Sequence, residues 1–321
     1  VRRLRDSGIS VIYVTHFIEE VKSVCDRYTV LRDGQSVADG IVSEVSIKGL
    51  VEKMVGRSVE DMYPMIEHTI GMPVLTANNL ESAGHLTDVS FVLRRGEILG
   101  IAGLVGAGRS EMVRALFGLK SADCGSIVLR DDASINAADL TPRKALDLGL
   151  DLLSENRHDE GLAQSMTVAA NLTMSRLDRY RRHGLLSLKN EKKSADCWCE
   201  NMGVKCHNVT DPVSSLSGGN QQKIALARIL HHDSEVILLD EPTRGIDVGS
   251  KAEIYRIIHR LASEGKAIVV VSSYLPELLG ICDTIAVMHR GRLSEIRPAR
   301  DWTEQTIMLH ATSGITEDRP Q

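Results

Sequence analysis

Long apolar runs are missing from these 321 residues. The strand-like ones, such as Ala267 to Val271, fall far short of the roughly 20 residues that cross a bilayer. Any membrane role is therefore expected to come through a partner. Blocks of Lys or Arg are missing too. With a net charge of −5 there is no basic footprint, and no nucleic-acid partner is expected. No secretory leader is recognisable. The six cysteines lack the framework of a disulfide-stapled domain, which suits reduced thiols in a cytosol. Cys197, Cys199, Cys206 and His207 could be drawn as a metal cluster. Their spacing fits no common zinc pattern, so free thiols are expected. What is left, 43% hydrophobic and 25% charged, is ordinary for a globular chain. Its length suits one and a half to two domains.

Two stretches organise what is there. Leu216-Ser-Gly-Gly-Asn-Gln-Gln222 precedes a helix whose apolar residues Ile224, Ala225, Leu226, Ile229 and Leu230 follow helical spacing. Ser217, Gly218 and Gly219 thus stand at a helix start, where free N–H groups and a positive dipole end favour an anion. Val236 to Asp240 then reads as a buried strand ending on Asp240-Glu241. That is where a nucleotide site places the acid that holds magnesium. Upstream, Glu97 to Ala102 reads as a buried strand running into Gly103-Leu-Val-Gly106-Ala107-Gly108-Arg109-Ser110, with a helix from Glu111 to Phe117. Strand, glycine loop and helix form a phosphate-binding loop in which backbone N–H groups approach phosphates and Ser110 can reach magnesium. Arg109 stands where the pattern has Lys.

The chain also repeats. V-I-Y-V-T-H-F-I-E-E from Val11 aligns with I-V-V-V-S-S-Y-L-P-E from Ile268 at an offset of 257 residues, which also relates Gly34 to Gly291. Ser273 falls where the first copy has His16. The reading expects two copies of one domain. Residues 1–56 would be the C-terminal part of a first copy, 57–73 a linker and 74–321 a second copy. Roughly 184 residues of the first copy are missing if the two are alike in length. Ile9 to Thr15 is expected as a strand, Met166 to about Ser215 as helical and polar, and the end of the chain as a polar tail.

L-S-G-G-N-Q-Q and I-L-L-D-E-P-T resemble the signature motif and Walker B of ATP-binding-cassette (ABC) ATPases. Together with G-L-V-G-A-G-R-S, S-E-N-R, D-E-P-T-R-G-I-D-V-G, V-S-S-Y-L-P-E and the linker M-V-G-R-S-V-E-D-M-Y-P, the pattern is similar to the double-cassette ATPases of bacterial monosaccharide importers of the ribose and galactose type. The resemblance implies an α/β P-loop cassette with an antiparallel β subdomain and a helical subdomain, here about 166–222. It implies ATP and Mg2+ as cofactors. Gly103, Gly106, Ala107, Gly108, Arg109, Ser110, Glu111, Ser217, Gly218, Gly219 and Gln221 would bind nucleotide. Ser110, Asp240 and Glu155 would serve the metal, with Glu155 standing where many cassettes carry a Gln. Glu241 would orient the attacking water, His16 and Ser273 would occupy the switch positions, and Asp247 the D-loop.

The implied partners are membrane permease subunits, a periplasmic sugar-binding protein and another cassette in cis. The implied place is the cytoplasmic face of the bacterial inner membrane, peripherally bound. Lacking the P-loop lysine and the switch histidine, the second site is expected to bind nucleotide and hydrolyse it slowly or not at all, since Arg is no simple stand-in for Lys. Two alternatives stay open: a soluble double-cassette protein of translation or repair, and a regulatory nucleotide-binding module without catalysis.

Overall fold

The computed structural model describes residues 1–15, 18–32, 34–56, 63, 66–130, 134–182 and 184–314. His16, Phe17, Asp33 and, of the linker 57–73, residues 57–62, 64 and 65 lie outside them, so the expectation for His16 is not addressed by the structure and that for the linker only at 63 and 66–73. The chain divides into two units: 1–64 with 246–256, and 65–245 with 257–321.

The smaller unit holds α1 (Arg2–Asp6), α2 (Ile18–Val24), the hairpin β1 (Arg27–Arg32) and β2 (Gln35–Ile41), and α3 (Ile47–Val55). Ser46 caps α3 through a bond from Gly49 N, and Gly56 ends it in the left-handed region. Ile18, Leu50, Val51 and Val248 form its small apolar cluster. Lys22 Nζ donates to the carbonyls of Val42 and Val45, both at 2.8 Å.

One expectation fails here. Ile9 to Thr15 forms no strand, and Ile12 and Val14 are 93% and 91% exposed. Its counterpart in the repeat, Ala267–Val271, is fully buried between two parallel neighbours. Among the described residues of this unit the only strands, β1 and β2, pair with each other, and a β-branched preference makes no strand without a partner.

The larger unit is built on a seven-stranded sheet. Its strands β5 (Ile98–Gly103), β8 (Leu150–Leu153), β11 (Val236–Asp240), β12 (Ala267–Val271) and β13 (Thr284–His289) run parallel in the order 13-5-12-11-8, with the short β14 (Arg292–Leu293) and β15 (Arg297–Pro298) antiparallel on β13. β8, β11 and β12 are buried at every position, as strands covered on both faces must be. A second sheet, β4-β3-β6-β7, is antiparallel: β3 (Pro73–Ser82), β4 (Leu86–Arg94), β6 (Cys124–Leu129) and β7 (Ile135–Asn136). From Val89, β4 alternates buried and exposed residues, the pattern of a sheet wet on one face.

Helices α4 (Arg109–Phe117), α5 (Pro142–Asp147), α6 (Val168–Thr173), α7 (Leu188–Asn201), α8 (Gly218–His232), α9 (Val248–Ser263) and α10 (Leu275–Ile281) complete the chain up to β13. Segment 166–215 is less uniformly helical than expected. It contains the hairpin β9 (Arg181–Arg182) and β10 (Leu185–Leu186), because Gly184 turns with φ 83° where a helix would need a negative value.

The expected polar end of the chain, residues 315–321, lies outside the described residues, and a helix precedes it. α11 (Glu304–Ser313) is held by a capping box between Thr303 and Thr306, and it buries Ile307 and Ala311. The offset of 257 relates secondary structure as well as sequence: α2 begins at Ile18 and α10 at Leu275, β1 at Arg27 and β13 at Thr284, α3 at Ile47 and α11 at Glu304.

Candidate functional site

β12 lies between β5 and β11, with Val271 opposite both Ile101 and Asp240. The carboxyl ends of all three strands therefore open side by side, where parallel α/β sheets place their ligand loops. From β5 comes the glycine loop 103–108, with Leu104, Val105 and Gly106 exposed and Ala107 and Gly108 buried. Gly108 has φ 104°, and a Cβ there would lie 2.7 Å from the His85 carbonyl oxygen. No other residue closes this turn. α4 starts directly after it, aiming its first amides at the loop. Glu111 in the first turn faces His85 Nδ1 at 4.0 Å.

Ser110 Oγ donates to Asp240 Oδ1 at 3.2 Å. The pair joins the P-loop helix to the end of β11 and presents two hard oxygen donors, the set that suits magnesium. Burial pushes the Asp240 carboxyl up to about 6, with Ser110 opposing and the charge of Glu241 adding to the shift. An oxygen pair whose buried carboxylate lacks a full counter-charge fits a divalent cation.

Glu241 follows in the left-handed region, φ 49°, a conformation that costs a non-glycine residue about 1 kcal/mol or more. Its amide donates to the Val271 carbonyl at 2.8 Å. Burial raises its carboxyl above the ordinary range, against a hydrogen bond from Ser273 and the charge of Arg109. Ser273 itself is exposed. Arg109 does not reach out of the loop. It is 8% exposed, its Nη1 donates to the Ser272 carbonyl at 2.7 Å, and its Nη2 stands 3.6 Å from Glu241 Oε1. Burial lowers its pKa, opposed by Glu241, Asp240 and Glu111.

On α8, Ser217 is the N-cap and Gly218 and Gly219 form the first turn. The Ser217 hydroxyl is free to face outward: it accepts from Asn220 Nδ2 at 3.0 Å and makes no bond to its own helix backbone. Gln221 is buried, with Nε2 on the Leu216 carbonyl at 3.1 Å. Asp247, in the smaller unit, caps α9 by accepting from Ser250 N at 3.0 Å and Ser250 Oγ at 2.7 Å. Glu155 pairs with Arg244. Among the described residues no three His, Cys, Asp or Glu gather as a metal cluster.

Sequence reasoning missed three participants. Arg157 Nη1 donates to the Gly218 carbonyl at 3.0 Å. Arg114 Nη2 donates to both Glu160 carboxylate oxygens at 2.8 Å. The buried Thr243 hydroxyl donates to Glu277 at 2.6 Å. Arg157 was legible only as a cation inside the otherwise acidic loop E-N-R-H-D-E.

A glycine loop and an Asp-Glu strand end on a parallel sheet, with a helix that opens on Ser-Gly-Gly, are the arrangement of an ATP-binding cassette. The family model described as ABC transporter matches residues 86–244. A nucleotide-free ATP-binding cassette from an ABC transporter superposes with a TM-score of 0.62 at 19% identity, covering 77% of this chain and 98% of that one. A post-hydrolysis ABC cassette dimer bound to ADP and Pi gives 0.60 at 22% identity, covering 71% and 100%. Residues 86–244 thus match the ABC transporter family, and the fold is that of its ATP-binding cassettes.

Its similarity narrows further. It is 40% identical to the ribose import ATP-binding protein RbsA of Oceanobacillus iheyensis over 98% of this chain and 63% of that protein. It is 40% identical to that of Bacillus subtilis over the same shares, and 43% to that of Ruegeria sp. over 99% and 62%. The chain thus spans somewhat over three fifths of the curated relatives it matches. Among the described residues, no helix is long and apolar enough to cross a membrane.

Proposed function

We propose that this chain is part of the ATP-hydrolysing subunit of an importer that energises uptake of a monosaccharide. The observation that carries the reading is 40% identity to a ribose import ATP-binding protein along 98% of the chain. The Ser110–Asp240 contact supports it at the level of chemistry. In this reading residues 1–56 belong to one cassette, 57–73 are the linker and 74–321 are a second cassette. The backbone N–H groups from Gly103 to Ser110 bind the phosphates of ATP, with Glu111 closing the first turn. Ser110 and Asp240 hold Mg2+, which neutralises charge on the phosphates. The partners are membrane permease subunits and, through them, a periplasmic sugar-binding protein. The subunit sits peripherally on the cytoplasmic face of the bacterial inner membrane.

Two cassettes of this family face head to tail. Ser217, Gly218, Gly219 and His16 would then serve one nucleotide, while Arg109 and Ser273 would belong to the other. The Arg109–Glu241 ion pair supports an idle second site: the carboxylate that would orient water is already engaged. That same pair favours a second reading for the chain by itself, a nucleotide-binding module that binds MgATP weakly with almost no turnover.

The test is ATPase activity and sugar uptake of the complete polypeptide with its permease in proteoliposomes. Permease-dependent stimulation of hydrolysis together with uptake is expected. Hydrolysis indifferent to the permease, with no uptake, would leave the soluble double-cassette alternative.

A further inference from the structure

The segment between Ser154 and Leu162 is tied to more of the site than its length suggests. It contains a π-helical turn, Arg157–Gly161, in which Gly161 N and Leu162 N donate to the carbonyls five residues earlier at 3.0 Å. Such turns recur at functional positions. Asn156 stiffens it: its Oδ1 accepts from Asp159 N at 3.1 Å and its Nδ2 donates to Asp159 Oδ2 at 2.8 Å. One side of the turn is bound to the P-loop helix. Arg114 of α4 forks onto Glu160 at 2.8 Å, and the Ser154 hydroxyl also donates to Glu160 at 2.5 Å. The other side is bound to α8. Arg157 Nη1 donates to the Gly218 carbonyl at 3.0 Å, and Arg228 Nη1 to the Gly161 carbonyl at 2.8 Å.

Glycine at 218 leaves room for Arg157. A Cβ on Gly218 would lie 3.2 Å from Arg157 Nη2 and 3.5 Å from the Gly245 carbonyl oxygen. The guanidinium therefore rests against the first turn of α8. A cation at a helix N-terminus opposes the macrodipole, and Arg157 Nε is buried there with no partner. Burial also lowers its pKa. The arrangement is unfavourable as it stands. It improves when an anion arrives at the same helix end.

We infer that the 157–161 turn is a coupling bridge between the two nucleotide sites, with Arg157 as its positioning residue. This rests on the reading that Ser217–Gly219 receive a nucleotide phosphate. An anion at the first turn of α8 strengthens the hold of Arg157. The rigid turn passes that preference to Glu160, Arg114 and the helix that opens on the P-loop. Coupling of this kind is reciprocal, so nucleotide on the P-loop also favours occupation of the signature.

The experiment is a coupling measurement in the complete polypeptide. The P-loop of this cassette is titrated with 8-azido-ATP, and labelling of the 103–117 peptide is read by mass spectrometry. Ser217→Ala, which does not touch Arg157, supplies the perturbation at the signature. It is expected to weaken P-loop labelling about fivefold in the native background and less than twofold when Arg157 or Arg114 is Ala. Arg157→Lys should restore part of the coupling, because an ammonium keeps the positive charge and can donate to the Gly218 carbonyl but lacks the planar guanidinium that rests against the helix end. A residue that merely props up the fold would lower thermal stability and leave the fivefold difference intact. An equal effect of Ser217→Ala in all backgrounds, or none in the native one, overturns the bridge. ATPase rates separate the failures: if Ser217→Ala and Gly218→Asp both leave turnover unchanged, the signature reading itself has failed.

Discussion

Arg109 Nη2 stands 3.6 Å from Glu241 Oε1, with the two side chains 8% and 10% exposed. The residue that replaces the P-loop lysine is thus the counter-ion of the acid that would activate water. Removing one partner of a buried pair leaves the other charge uncompensated, at a cost of about 3 kcal/mol. Arg109→Ala is therefore expected to lower unfolding free energy by about that amount in urea at pH 7.5. Adding Glu241→Gln should recover part of it. Strict additivity of the two single changes would show that the pair contributes nothing.

The Asp240 carboxyl, raised to about 6 mainly by burial, gives a pH dependence with a definite sign. The folded state holds this proton more tightly than the unfolded chain, whose carboxyl titrates near its ordinary value of about 3.9. Stability from the proton is complete below about pH 4 and is lost as pH rises through about 6, by roughly 3 kcal/mol in all. Asp240→Asn should flatten that slope and stabilise the protein at pH 7.5. Magnesium must displace the same proton, so Mg2+ enhancement of nucleotide binding should be several-fold weaker at pH 5.5 than at 7.5. Equal enhancement at both values would remove Asp240 from the metal site.

In the complete polypeptide, Gly218→Asp and His16→Ala should nearly abolish ATP-driven uptake. Each removes or repels one or two contacts worth roughly 1.5–3 kcal/mol apiece with a charged phosphate, or about ten- to several hundred-fold in rate. Arg109→Ala should be much milder, once its folding is verified by circular dichroism. If all three proved equally damaging, one working and one idle site would be the wrong division.

How much of this was legible in the sequence depended on distance along the chain. The glycine loop, the Asp240-Glu241 strand end and the start of α8 were legible because each is a local strand–loop–helix transition with its own residue signature. The direction of Arg109 was not. Its partner Ser272 lies 163 residues away, and an arginine in a P-loop pattern reads as a phosphate ligand whatever lies beneath it. Ile9 to Thr15 misled for the same reason: β-branched residues report a preference for a strand but not whether neighbours exist. The α11 cap, by contrast, was readable in Thr303 and Thr306 and was overlooked among polar residues.

His68 offers a further pH test. Its Nδ1 faces the Ile66 carbonyl at 2.8 Å and its Nε2 faces Asp283 Oδ2 at 3.0 Å. Both nitrogens meet acceptors, so the doubly protonated ring suits the site best. Burial works against that charge, but Asp283 and the Ile66 carbonyl outweigh it and the pKa is raised. Stability from this contact is present below the ordinary histidine value of about 6.5 and is lost as pH rises through the higher folded value. Segment 66–72 should accordingly be cut faster by a pH-tolerant protease at pH 8.5 than at pH 6. Asp283→Asn should erase the difference, and persistence of the difference in that variant would detach it from His68.

The run from Ile9 to Val14 carries a consequence for these 321 residues when they are produced by themselves. Extended apolar peptide is what holdase chaperones bind and proteases cut, and triage by them sets abundance independently of the folded core. Ile12 and Val14 offer it without any unfolding step, beside the positive charges of Arg2, Arg3 and Arg5. When this polypeptide is expressed by itself, its half-life should follow these few residues more than the burial of the parallel sheet. Replacing Ile12 and Val14 by Asn should lengthen the half-life in a pulse-chase experiment while leaving the thermal transition of the cassette where it was.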